Sequence, residues 1–330
     1  METLESLSSR IETTEDIHGI VRTMKALSAV SIRQYEAAME ALDLYGETVE
    51  LGLSAVLRRR PPDLRRRRGA GGPGAAIVFG SDRGLCGRFN ERLADRVEAD
   101  VGTARDDGRG VPRLLVIGGR MATLLEARGV SVETAHMLPG SAGGLTRAAQ
   151  AILMEADRWR AGAGIERIEV FHNRRAEGAE GGATEPISTV LIPPSPETLR
   201  ELAEREWPGR SLPDFRMEAG ALFSWLIRER LLIGVARAAA HSLAGEHAAR
   251  LAAMQAAERN IEERLETLSA RRRRTRQTAI TSELLDIVGG VEAMRRREDE
   301  READEDAAAA SGRGEGRRPP KRRRGAGEGG

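Results

Sequence analysis

The sequence predicts a mixed fold, with a long antiparallel two-helix coiled coil formed by both ends of the chain and a small α/β domain between them. Two segments near the ends lack proline and carry apolar residues at steps of three and four, which is typical of paired helices. Between them, short apolar runs alternate with helical patterns. Aromatic residues are only 3% of the chain, so a large globular core is not expected.

The first segment, residues 1–57, is predicted to be the N-terminal helix of the coiled coil. Its apolar residues form a narrow stripe that slips once, between the third and fourth members: Leu4, Leu7, Ile11, Ile17, Ile20, Met24 and Leu27. Residues 58–74 are rich in arginine, proline and glycine, which stop helices, and are predicted to be a linker.

The second segment, residues 75–210, is predicted to be a Rossmann-like α/β domain with a largely parallel sheet, because strand patterns alternate with helical ones. The helical pattern is clearest at residues 145–159. The predicted strands are Ala75–Phe79, Leu114–Ile117, Ile165–Phe171 and Ile187–Ile192.

The third segment, residues 211–297, is predicted to be the C-terminal helix of the coiled coil. Its stripe contains one polar residue, Glu258, and resumes after an arginine-rich interruption. The apolar members are Leu251, Met254, Ile261, Leu265 and Leu268, and then Ile280, Leu284, Ile287 and Val291. Residues 298–330 have low complexity and little to bury, so a disordered tail is predicted.

Several kinds of active site are disfavoured by composition. The two lysines, Lys25 and Lys321, do not follow glycine, so there is no phosphate-binding P-loop. The five histidines lack metal-ligand spacing, and Cys86 has no histidine nearby in sequence. No segment is apolar enough to span a membrane. We therefore predict no catalytic residue, cofactor or metal site.

Three groups of motifs, in this order along the chain, resemble the gamma subunit of F-type ATP synthases. The first is Arg10-Ile11 with Ile20–Leu27, and the second is the glycine-rich turn Gly80–Gly87 with Asn90. The third group comprises Arg250–Met254 through Asn260, Arg276–Leu284 and Ile287–Ala293. The resemblance covers about residues 1 to 295.

The resemblance implies a non-catalytic rotor shaft that transmits torque between a membrane c ring and a catalytic hexamer of alpha and beta subunits, alongside an epsilon subunit. It implies a peripheral location on the cytoplasmic face of a bacterial inner membrane. Its motifs suggest residues that contact the hexamer and glycines that shape a structural turn. The contact residues are Met24, Arg250, Arg276, Gln277 and Thr281, and the turn glycines are Gly80, Gly84 and Gly87.

The opening residues and the segment Val30–Glu36 resemble more closely the alternate branch of this family called N-ATPase, which leaves the coupling ion, proton or sodium, open. Two other interpretations remain. Residues 75–192 could form a nucleotide-binding enzyme domain, although its fingerprints are missing. A coiled-coil scaffold could bind nucleic acid through Arg58–Arg68 and Arg271–Arg276, but a net charge of +1 and few aromatics disfavour it.

Overall fold

The structure, a computed structural model, describes residues 3–59, 74–106, 111–176 and 182–312, with side chains described as far as residue 302. Most of the predicted linker and the last part of the predicted tail lie outside these residues. The helices are α1 Leu4–Arg59, α2 Phe89–Asp106, α3 Gly119–Ala127, α4 Leu145–Ala163, α5 Pro196–Glu204 and α6 Ala219–Gly312. The strands are β1 Gly74–Phe79, β2 Arg113–Ile117, β3 Thr134–His136, β4 Arg167–Arg175 and β5 Thr184–Ile192.

The five strands form one sheet in the order β3-β2-β1-β4-β5. β1 pairs in parallel with β2 and β4, and β2 pairs in parallel with β3. β5 is antiparallel to β4 at the edge of the sheet. β1 and most of β2 are continuous apolar runs, as expected for parallel strands covered on both faces. The predicted largely parallel sheet is therefore confirmed.

Alternate residues of the central strands face two separate cores. On one face, Val78 and Val116 pack with residues of α2 and α3, including Leu93 and Met121. On the other face, the buried residues come from β1, β2, β4, α4 and α6, and include Ile77, Leu115, Val170, Trp159, Val235, Ala239 and Leu243. Helix α6 is therefore part of the core of the α/β domain.

The described contacts divide the chain into two compact units, residues 1–15 with 263–330 and residues 16–262. In the first unit, Leu7 and Ile11 of α1 pack against Leu268 and Leu265 of α6.

In the second unit, α1 and α6 are antiparallel. Their contacts proceed in opposite order: the ring of Tyr35 stacks on His247 at 5.8 Å, and Arg237 Nε lies 2.9 Å from Asp43 Oδ1. Together with the sheet, these pairs confirm the predicted fold class. No helix in the described residues has the length and apolar character needed to span a membrane.

The seam of α1, which is the face of the helix that packs against α6, differs from the predicted apolar stripe after Ile11. Ile17, Ile20 and Leu27 are 48%, 60% and 62% exposed, whereas Val21 and Ser28 are buried. Six of the buried positions are separated by seven residues or by fourteen: Leu7, Val21, Ser28, Tyr35, Val49 and Val56. Several seam positions here are polar, so following only apolar residues led to the neighbouring stripe, and that part of the prediction was wrong.

The bounds of the long helices also differ from the prediction. Helix α6 begins at Ala219, where the Glu218 carboxylate accepts hydrogen bonds from the backbone N–H groups of Gly220 and Ala221. It continues to Gly312, although a disordered tail was predicted from Glu298. Residues 298–310 are mostly alanine and glutamate, which favour helix, and contain no proline. The predicted domain boundaries themselves stay predictions.

Candidate functional site

The last part of α6 exposes a set of large apolar side chains. In the first unit, the buried contacts of α6 with α1 end near Leu268. The exposed residues beyond that point, which we call the α6 apolar surface, are Ile280, Leu284, Leu285, Ile287, Val288, Val291 and Met294. Most of them recur at steps of three and four, so they form one face of the helix. A contiguous exposed apolar face is typical of an interaction surface.

Three predicted contact residues lie at the start of this surface. Arg276, Gln277 and Thr281 are all exposed. The Thr281 hydroxyl donates to the carbonyl of Gln277 at 2.9 Å, within the helix. The guanidinium of Arg276 and the amide of Gln277 are therefore placed where a partner carboxylate or carbonyl could reach them. Their contact with a partner stays a prediction.

A second exposed apolar stripe lies on α1, in the unit formed by residues 16–262. It consists of Ile17, Ile20, Leu27 and Val30, with the half-buried Met24 between them, and we call it the α1 apolar surface. These residues flank the seam instead of forming it, so the pairing of α1 with α6 leaves them uncovered. Met24, a predicted contact residue, thus lies between the seam and this stripe.

Arg250 occupies a different environment from the other predicted contact residues. It is 7% exposed, and its Nη2 donates to Glu246 Oε1 at 2.6 Å and to the carbonyl of Gly84 at 3.4 Å. Burial raises the pKa of Glu246, while the charge of Arg250 acts in the opposite direction. Arg250 therefore ties the glycine-rich turn to α6, an internal role that the sequence did not predict. Its contact with a partner stays a prediction.

The turn Gly80–Gly87 requires glycine at two of the three predicted positions. A Cβ on Gly80 would lie 2.1 Å from the Cβ of Met121, and Gly87 has a φ of +59°. A Cβ on Gly84 would meet nothing within 4 Å, so sterics do not explain the third glycine.

Polar side chains hold this turn in place. Asn90 accepts from the backbone N–H of Ser81 at 3.1 Å and donates to its hydroxyl at 2.7 Å. The Asp82 carboxylate accepts from the backbone N–H groups of Gly119, at the start of α3, and Leu138. Because Asp82 already occupies the amide of Gly119, an anion at the start of α3 would meet a carboxylate. This arrangement supports a structural role for the turn.

Buried histidines connect the α/β domain to α6, and no local sequence pattern predicts them. The rings of His172 on β4 and His241 on α6 stack at 5.7 Å. Burial lowers the pKa of His172 to about 4 and also lowers that of His241. His172 is 5% exposed and is therefore neutral near pH 7.

We expect His172 to make the second unit sensitive to acid. Its pKa is about 4 in the folded chain and about 6.5 when unfolded, so the unfolded state binds more protons between these values and stability falls as the pH drops from 6.5 toward 4. From pH 7 to pH 5 this group alone should cost about 2 kcal/mol. In urea unfolding followed by tryptophan fluorescence, His172→Gln should lose correspondingly less stability over that range. The exposed-histidine variant His136→Gln should behave like the unmodified chain, and equal acid losses in all three would contradict the prediction.

Comparison with known proteins agrees with these features. A family model described as ATP synthase matches residues 3–294. The ATP synthase gamma chains of Brucella anthropi and Sorangium cellulosum are 25% and 26% identical to this chain, over 89% of its length and 100% of theirs.

The fold also resembles a solved structure. A chain in the structure of the Euglena gracilis mitochondrial ATP synthase rotor matches with a TM-score of 0.57 at 13% identity, covering 84% of this chain and 98% of that one. Since the family model spans nearly all of the described residues and the helix pair with its sheet has the same fold, the chain belongs to the ATP synthase gamma-chain family.

Proposed function

We propose that this chain is the central rotor shaft of an F-type ATP synthase, transmitting torque between a membrane c ring and a catalytic hexamer of alpha and beta subunits. The observation that carries the proposal is the pair of exposed apolar surfaces on α1 and α6. The α1 apolar surface flanks the seam, and the α6 apolar surface follows the last buried contact at Leu268. Both surfaces are uncovered in the described part of the chain. Surfaces of this kind suit a shaft enclosed by partner subunits.

The internal contacts of the second unit are suited to carrying torque. Val235, Ala239 and Leu243 of α6 are buried in the same core as the central strands, so a force that turns the α/β domain also turns α6. The contacts Asp43–Arg237 and Tyr35–His247 then couple α6 to α1. Because packed interiors are stiff, such a unit transmits rotation instead of absorbing it.

Contact with the hexamer is assigned to Arg276, Gln277, Thr281 and Met24. The exposure of the first three and the placement of Met24 beside the α1 apolar surface support this assignment. Arg250 would act in addition through the turn at Gly84, whose carbonyl it holds. Partner loops that carry carboxylates would meet the exposed arginines at residues 272–274 and 276.

The chain is proposed to be non-catalytic, with catalysis in the neighbouring subunits and driven by their conformational change. The α/β domain would face the c ring and the epsilon subunit, and the complex would lie at the cytoplasmic face of a bacterial inner membrane. Assignment to the N-ATPase branch also stays a proposal. It rests on the resemblance of the opening residues and of Val30–Glu36.

The proposal is tested by affinity purification of the tagged chain from its native membranes, with stoichiometry and ATPase activity recorded. We expect two nucleotide-binding subunits, each in threefold excess over this chain, together with ATPase activity. Recovery of the chain alone would contradict the proposal. If the chain were instead recovered with nucleic acid, and this binding weakened steeply with salt, the coiled-coil scaffold that binds nucleic acid would be favoured.

Deleting residues 298–330 should leave coupled ATP synthesis unchanged. This segment lies beyond the α6 apolar surface, and its described residues, 298–302, are exposed. ATP synthesis by inverted membrane vesicles that contain the truncated chain should equal that of the full chain. Loss of synthesis with retained ATPase activity would show that the segment takes part in coupling.

A further inference from the structure

A cluster of three potential metal ligands joins α1 to α6 within residues 16–262. His18 lies on α1, and Glu258 and Glu262 lie one turn apart on α6. His18 Nε2 is 4.0 Å from Glu258 Oε1 and 3.8 Å from Glu262 Oε1. One ligand atom from each of the three residues lies within 4.8 Å of the others. The cluster is independent of the surfaces assigned to the rotor function.

The imidazole nitrogen at the centre of this cluster has no hydrogen-bond partner in the described part of the chain. His18 Nε2 is buried, and both carboxylates are too distant to accept a hydrogen bond from it. The nitrogen-to-oxygen distances are close to the roughly 3.3 Å that separates two ligands of a tetrahedral zinc ion. Small side-chain rotations would therefore bring all three atoms to ligand distance of one ion.

The charges around Glu258 leave one of its oxygens free for an ion. Lys25 Nζ donates to Oε2, whereas Oε1 is the oxygen that faces His18. The hydrogen bond from Lys25, with smaller effects of His18 and Arg22, lowers the pKa of Glu258 and keeps it ionised. The positive charges of Lys25 and Arg22 oppose a metal ion electrostatically, so binding should be moderate in strength. Glu262 is the most exposed of the three and gives the cluster access to solvent.

We propose that His18, Glu258 and Glu262 form a binding site for a divalent transition-metal ion of the zinc class, which joins the two helices. One imidazole with two carboxylates suits Zn²⁺, Co²⁺ or Ni²⁺, and leaves a fourth position for water. The site lies where the α1 seam is polar, near Lys25 and Ser28, so an ion would add cross-helix attachment where apolar packing is weakest.

The test uses the untagged full-length chain, titrated with Zn²⁺ by calorimetry and with Co²⁺ by visible absorbance. We expect one ion per chain and a rise in the thermal unfolding temperature when Zn²⁺ is present. His18→Ala should bind at least about tenfold more weakly, because loss even of outer-shell groups costs about 10–100-fold. Glu262→Gln should show a similar loss, and since Glu262 is largely exposed, this variant should fold normally.

The matched control is His136→Ala, which removes an exposed histidine from β3 and should leave metal affinity unchanged. Absence of saturable Zn²⁺ binding below millimolar concentration would overturn the proposal. Binding that is equally strong in Glu262→Gln and in the unmodified chain would also overturn it, because the ion would then occupy scattered surface carboxylates. Should His18→Ala fail to fold, Glu262→Gln alone decides between these outcomes.

Discussion

Replacing Ile20 and Leu27 together by glutamate should weaken the association of this chain with the hexamer of alpha and beta subunits by at least about a hundredfold. Full burial of a leucine or isoleucine is worth about 1.5–3 kcal/mol, and 1.4 kcal/mol corresponds to tenfold in affinity. Both side chains are now more than half exposed, so the double variant should keep the fold of the isolated chain. The effect should therefore appear on assembly and not on folding.

This prediction is measured by titrating the purified chain into isolated hexamer and recording bound chain and ATPase activity. The matched control is Ala26→Glu with Ala29→Glu, which adds the same charge at exposed positions of α1 outside the apolar surface. The control should bind like the unmodified chain. If both double variants lost affinity equally, added charge would be the cause, and the α1 apolar surface would have no special role.

Replacing Arg250 by alanine should lower the free energy of unfolding of the second unit by about 3–5 kcal/mol, the usual cost of removing one partner from a buried ion pair. Glu246 would remain buried, with its carboxylate unpaired. The turn carbonyl of Gly84 would lose its hydrogen bond as well. The measurement is urea unfolding followed by circular dichroism and tryptophan fluorescence.

The pH dependence of this variant gives an independent check. The pKa of Glu246 is already raised by burial, and without Arg250 it should rise further. A folded pKa above the unfolded value means that the folded state binds more protons in that window, so stability increases as the pH falls. The deficit of Arg250→Ala relative to the unmodified chain should thus shrink from pH 7 toward pH 5.

A matched double variant distinguishes the unpaired charge from lost packing. Glu246→Leu with Arg250→Met removes both charges and keeps apolar volume, and should be more stable than Arg250→Ala alone. If Arg250→Ala unfolded at the same urea concentration as the unmodified chain, the pair would not fasten the turn to α6. Equal destabilisation of the single and double variants would point to packing and not to charge.

Much of the fold could be predicted because its signals are local. The central strands are short, continuous apolar runs ended by glycine, and these runs became β1 and β2 in the structure with bounds shifted by one residue. The apolar stripe of α6 from Leu251 to Leu268 likewise lies at or near the seam. In such segments, the spacing of the apolar residues predicts both the type of element and the face that is buried.

The seam of α1 could not be read in the same way, because burial there is not restricted to apolar residues. Ser28 is buried and Lys25 is half-buried at seam positions, the latter because Glu258 on α6 pairs with it. Ile17 and Ile20 had the same spacing and a stronger apolar signal, but face away from the seam. Which stripe of α1 packs against α6 depends on the sequence of α6, so the sequence of α1 alone does not predict it.

Contacts between distant segments were missed for a similar reason. The motif places Arg250 among the residues predicted to contact the hexamer, but its side chain lies beside the turn at Gly84. The cluster of His18, Glu258 and Glu262 has no metal-ligand spacing in sequence, because its members come from opposite ends of the chain. Antiparallel helix pairing brings such residues together, and predicting them requires the pairing register.

The central claim, that this chain rotates within the hexamer, is tested most directly by observing single complexes. Glu126→Cys on the exposed face of α3 provides an attachment point for a probe, while the native Cys86 is buried. With the hexamer immobilised and ATP supplied, the probe should turn repeatedly in one direction and stop when ATP is removed. Sustained ATP hydrolysis by complexes that retain this chain, with a probe that does not rotate, would contradict the rotor function.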